Sequence, residues 1–262
     1  MTASMAELLN HRLTGEKRDF ALLLIHPLGA DLSIWDDFVA ALDGRVTTLA
    51  MDLPGSGGSP GPGRPVGLAE QAEALEALRG ALGIEKLCPI GIAVGAMTAA
   101  TYAATHPART SALILTNPTP ASAPQARQML ADRAEAVRQG GIAAVLPGAV
   151  DRSFLEMPRD ARYERYMNRF SAQDPEAYAL AVLAAAEADA STALRAIDSP
   201  TLLVPGRHDV LLPMERTEAV AKLVPHARIA VMEHAAHFVP YQQPAAFAAL
   251  VLDFLGREAA LA

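Results

Sequence analysis

The pentapeptide Gly91-Ile92-Ala93-Val94-Gly95 separates a short apolar run, residues 87–90, from an alanine-rich stretch with helical spacing. Glycines at that spacing mark a turn from strand to helix so sharp that neither flank has room for a side chain. The same rhythm recurs upstream. Apolar residues 22–25 end in His26-Pro27-Leu28-Gly29, and residues 46–51 end in Asp52-Leu53-Pro54-Gly55, two buried strands each followed by a loop. Leu68, Ala72, Leu75, Leu78 and Leu82 predict a helix over 67–82. A strand at 87–90, a helix over 94–104 and a strand at 112–115 follow.

The alternation breaks at Asn117-Pro118-Thr119-Pro120, and residues 123–196 read as helical without a strand. It resumes with a strand at 201–204, a helix over 214–223, a strand at 229–232 and a helix over 244–255. This order predicts an α/β fold with a mostly parallel sheet covered on both faces. Residues 1–117 and 197–262 form the expected core, and 118–196 an inserted helical cap. A chain of 262 residues, 51% of them hydrophobic, can bury one such core.

Composition narrows the partners. Twenty-two basic residues stand against 29 acidic ones, a net charge of -7, with no basic stripe for nucleic acid. No run of about 18 apolar residues predicts a membrane span, and residues 1–9 lack a secretory pattern, so a cytoplasmic setting is expected. The single cysteine, Cys88, lies about 16 Å along an extended strand from position 93 and reads as a core residue. The seven histidines are scattered without zinc spacing, so neither metal nor cofactor is expected.

Two later loops carry chemistry-bearing side chains. Pro205-Gly206-Arg207-His208-Asp209 follows the strand at 201–204, and Glu233-His234-Ala235-Ala236-His237-Phe238 follows the strand at 229–232. A neutral imidazole can take and return a proton near pH 7, and a carboxylate behind it fixes the tautomer. His237 and Asp209 are the candidates, and His208 and His234 are less suited neighbours. The alternatives are a buried histidine bonded to backbone and an aspartate serving a turn. An oxyanion would need two backbone donors, for which Val94 and Leu28 stand in the right loops. Gly29, Asp31 and Trp35 hold the Leu28 loop or form a plain turn into a helix, and His26 orders the same loop.

Turn, acid and histidine in that chain order, each beyond a strand end, resemble the α/β-hydrolase superfamily, whose nucleophile elbow reads G-x-S-x-G. The segments 26–36 and 52–59 extend the likeness over nearly the whole chain. Within the superfamily, Leu28-Gly29-Ala30-Asp31-Leu32, Trp35-Asp36 and residues 133–141 are similar to stretches of the 3-oxoadipate enol-lactonases of aromatic degradation. Two positions depart from the pattern: Ala93 replaces the serine, and Leu130 stands where an aromatic residue is expected. The resemblance implies that Arg133 pairs with a substrate carboxylate by a forked contact; a solvated surface arginine is the alternative.

Three readings follow. The first is a carboxylic ester or lactone hydrolase of the Ser-His-Asp type, disarmed at position 93. The second is a natural pseudo-hydrolase that binds a small ligand beneath the cap. The third is an enzyme in which His237 and Asp209 move a substrate proton. The expected partner is a small ester or lactone, without nucleic acid or membrane, and self-assembly into a homo-oligomer stays open.

Overall fold

The computed structural model describes residues 9–258. Its sheet has seven strands: β1 (His11–Thr14), β2 (Phe20–Ile25), β3 (Thr48–Met51), β4 (Lys86–Ile92), β5 (Leu113–Thr116), β6 (Thr201–Val204) and β7 (Arg228–Ile229). They lie in the order β1-β3-β2-β4-β5-β6-β7. Only β1 runs antiparallel to its neighbour.

The central strands β3, β5 and β6 are buried along their whole length, as a parallel sheet covered by helices requires. Alternate residues feed two cores. Leu22 and Leu24 join Trp35, Phe38 and Phe247 on one face, while Ala21, Leu23 and Ile25 join Leu75, Leu78 and Ala99 on the other. Cys88 lies in the first core, where burial pushes its thiol pKa well above the ordinary range, so it supplies no thiolate.

Both sheet edges depart from the sequence expectation. The strand β1 has no apolar run, because only Leu13 packs on the core while its other side chains face solvent and its backbone pairs with β3. The strand expected at 229–232 shortens to Arg228–Ile229. Its continuation pairs irregularly, through Ala230 N–H to Leu203 O at 2.9 Å and Met232 N–H to Pro205 O at 2.9 Å.

Between β5 and β6 lie the helices Pro124–Gly140, Gly148–Ser153, Ala161–Ser171, Pro175–Ala186 and Ser191–Arg195. An antiparallel bridge between Ala121 and Asp189 draws the two ends of this insertion together. Phe154, Tyr163, Tyr166 and Phe170 from the inserted helices pack in the same core as Phe238 and Tyr241. Gln173 Nε2 donates to Gly29 O at 2.9 Å and Arg169 Nη1 to Ser33 O at 3.2 Å, so the insertion rests on the loop after β2. Among the described residues no helix is long and apolar enough to cross a membrane, and no cluster of three His, Cys, Asp or Glu is placed to hold a metal ion.

Candidate active site

Ala93 caps the helix Val94–Thr105 with φ 53° and ψ −112°. A non-glycine residue there carries strain on the order of 1–3 kcal/mol. The flanking glycines explain why the turn closes at all. A Cβ on Gly91 would run into the Gly95 carbonyl, and one on Gly95 would lie 2.5 Å from His26 O and 2.6 Å from Ile25 O. The helix N-terminus is thereby pressed against the end of β2.

Asp209 and His237 come from loops that touch because of a third glycine. At Gly206 a Cβ would collide with Ala236 O and lie 2.7 Å from Ala235 O, so only glycine lets the loop after β6 pass beneath residues 235 and 236. His237 Nδ1–H then donates to Asp209 Oδ2 at 2.9 Å. The Asp209 side chain is fully enclosed, and the His237 ring keeps 11% exposure.

The carboxylate is filled on both oxygens. Its Oδ1 accepts the Leu211 and Leu212 N–H groups at 2.8 and 3.0 Å, and Oδ2 also accepts Asn117 Nδ2 at 2.8 Å. Burial alone would raise the Asp209 pKa. The facing His237 and the two backbone donors outweigh it and hold the group below its ordinary value. With Nδ1–H committed to a carboxylate, a neutral His237 ring presents Nε2 as the basic nitrogen.

Two supports of this pair escaped the sequence reading. Asn117, at φ 48°, donates from Nδ2 to both Asp209 and Ala236 O, the latter at 2.9 Å. Gln242 accepts from the Ala236 and Phe238 N–H groups at 2.8 and 3.2 Å, clamping the backbone on both sides of His237. Asn117 stands in the sequence only as a break after a strand, although asparagine's tolerance of positive φ is the available signal. Gln242 carries no signal of its own.

Leu28 and Val94 line a common space beyond the end of the sheet. Neither backbone N–H finds a partner among the described residues. The loop of Leu28 is anchored from below. His26 Nδ1 bonds Pro27 O and its Nε2 accepts Leu53 N–H, both at 2.9 Å. Asp52 accepts Leu32 N–H at 2.6 Å, Gly58 N–H at 2.7 Å and Asn10 Nδ2 at 2.7 Å. Asp31 accepts Ser33 N–H at 2.8 Å, and Trp35 is buried in the core.

Ala93, Val94, Leu28 and His237 all line a cavity of about 270 Å³ under the inserted helices. Arg133 also lines it, half-buried, with Nη1 3.5 Å from the Tyr178 hydroxyl; Leu130 lines the same wall. His208 and His234 point elsewhere: His208 pairs with Glu156 at 2.8 Å, and neither lines this cavity.

The family whose model matches residues 21–244 is described as the alpha/beta hydrolase fold. The chain is 28% identical over 243 residues to 3-oxoadipate enol-lactonase 2 of Acinetobacter baylyi, covering 91% of this chain and 90% of that protein. It is 30% identical over 253 residues to the pimeloyl-[acyl-carrier protein] methyl ester esterase of Neisseria meningitidis, covering 88% and 91%. Among solved structures it superposes on a thermophilic esterase from Thermogutta terrifontis with a TM-score of 0.88 at 25% identity, over 95% of this chain and 93% of that one. An enol-lactonase from Burkholderia xenovorans gives 0.87 at 27% identity, over 95% and 96%.

Proposed function

Because the chain belongs to the α/β-hydrolase fold family, we propose that its site is built to hold a small carboxylic ester or lactone for acyl transfer through residue 93. With alanine at that position the chain binds such a molecule without forming the acyl intermediate.

The observation that carries this reading is the strained Ala93 facing the same cavity as a fully buttressed His237. A turn that had only to pack would relax with glycine. The strain suits a side chain that must be held up to a ligand.

A serine hydroxyl at residue 93 would give its proton to His237 Nε2 as its oxygen bonds the carbonyl carbon. Collapse of the adduct breaks the ester C–O bond, and the same proton passes to the departing alkoxide. Water then repeats the exchange and frees the acid. Asp209 steadies the imidazolium, and the Leu28 and Val94 N–H groups receive the charge on the carbonyl oxygen. Arg133 meets a carboxylate on the ligand. Residues 118–196 act as the cap that shuts water out, and the buried single thiol of Cys88 suits a cytoplasmic setting.

The test is Ala93→Ser assayed on aryl esters and enol-lactones. Loss of the nucleophile costs on the order of a million-fold in a serine protease, so a gain of at least ~1,000-fold is expected. A folded Ala93→Ser protein with no gain discards acyl transfer.

A further inference from the structure

A second cavity of about 360 Å³ lies behind the same wall. Leu28, Val94 and Ala185 line both spaces, so the two spaces adjoin at the residues whose N–H groups are unengaged. The first cavity alone falls just short of the ~300 Å³ at which small-ligand pockets begin, whereas the pair together lies well within their range. A ligand whose carbonyl rests at Leu28 and Val94 can extend in both directions.

The two cavities differ in charge. Among the described residues the first is lined by Arg133, Arg152 and Arg216 and by no Asp or Glu, in a protein of net charge -7. Arg216 is held by neutral groups, donating to Thr119 Oγ1 at 2.7 and 2.9 Å and to Ala121 O at 2.5 Å, so its charge stays uncompensated. In the second cavity Leu53, Val66, Leu68 and Leu180 supply apolar surface. Among the described residues the cation on its wall is Arg64, already paired with Glu70 at 2.7 Å, while Asp174 and Glu176 disfavour an anion.

His237 settles which arm goes where. The leaving oxygen needs a proton from His237, which lines the first cavity and not the second. We infer that the site takes an open-chain ester, not a lactone, with an apolar acyl arm in the second cavity and a carboxylate-bearing alcohol arm among the three arginines of the first. This rests on the reading of Leu28, Val94 and His237 as the groups that meet the ester.

The chain as it stands allows binding to be measured apart from turnover. By calorimetry, O-hexanoyl-lactate should bind at least ~10-fold tighter than O-acetyl-lactate, since each buried methylene adds affinity. Ala181→Trp fills the second cavity and should erase that gain, so that the two lactate esters bind alike. Ala177→Leu, a milder filling from the same helix, should reduce the gain and serves if the tryptophan variant does not fold. Monohexyl succinate, with its charge on the acyl side, should gain nothing over monomethyl succinate. Equal affinity for the two lactate esters, a gain that survives both variants, or a hexyl gain in the succinates would overturn the inference. An Ala93→Ser protein inert on every ester, with the binding series intact, would fault acyl transfer alone. An active one indifferent to acyl length would fault the two-cavity ligand alone.

Discussion

The Asn117 amide and the Asp209 carboxylate, 92 positions apart in sequence, meet in a buried hydrogen bond of 2.8 Å. The amide thereby shares Oδ2 with the His237 ring and ties the end of β5 to the loops after β6 and β7.

Replacing Asn117 by glycine suits the positive φ and removes the amide together with its single methylene. Hydrogen bonds to a buried charge contribute about 1.5–3 kcal/mol each, so urea denaturation should show a loss of about 2–3 kcal/mol. In an Ala93→Ser background the variant should also lose turnover, and a silent substitution in both assays would remove Asn117 from the site.

Gly95 and Gly80 both lie in helices, yet alanine should act on them in opposite directions. At Gly95 the new Cβ meets two backbone oxygens that cannot move, and overpacking of this kind costs about 1–3 kcal/mol or more. At Gly80 nothing lies within 4 Å, so helix propensity alone should stabilise by up to about 1 kcal/mol. Thermal melts of the two variants side by side check the contrast.

Ala93→Gly should raise stability by about 1 kcal/mol if relief of the positive φ outweighs the freedom that glycine adds to the unfolded chain. Denaturant titration against the parent chain measures it. A destabilised glycine variant would mean that the strain at the turn is smaller than the entropy that glycine adds to the unfolded chain.

His26 gives the protein a pH dependence of definite sign. Burial, only partly offset by the Pro27 carbonyl and by Asp52 and Asp31, lowers its pKa from the ordinary 6.5. Below pH 6.5 the unfolded chain therefore takes up a proton that the folded one refuses, and stability falls as the pH drops. His26→Gln should flatten that part of the profile in denaturation curves recorded between pH 7 and pH 5, values chosen to bracket the histidine range.

The parts of this fold that announce themselves in the sequence are those whose local pattern and burial agree. The run at 22–25 reads as a strand because β2 is buried on both faces and so is continuously apolar, and the stretch 94–104 reads as a helix because it is alanine-rich and follows the elbow glycines. Asp209 and His237 are legible by their order beyond strand ends, and the structure brings them to 2.9 Å. The edges are not legible, since β1 is held by backbone pairing that no side chain advertises. Asn117, Gly206 and Gln242 act only through contacts with distant loops, and a local window holds no trace of those partners. Arg216 carries no signal of its own in the sequence, and only the fold brings it to the wall of the cavity that His237 also lines.

The pairing of Ala121 with Asp189 leaves the intervening polypeptide no distance to span. Whatever roof is built between those two points, long or short, imposes no tension on the strands below and need not alter their register. Exchange of that segment would thus leave the strands in place, while the packing of Tyr166 on Phe238 and the Gln173 bond to Gly29 O would have to be rebuilt with it.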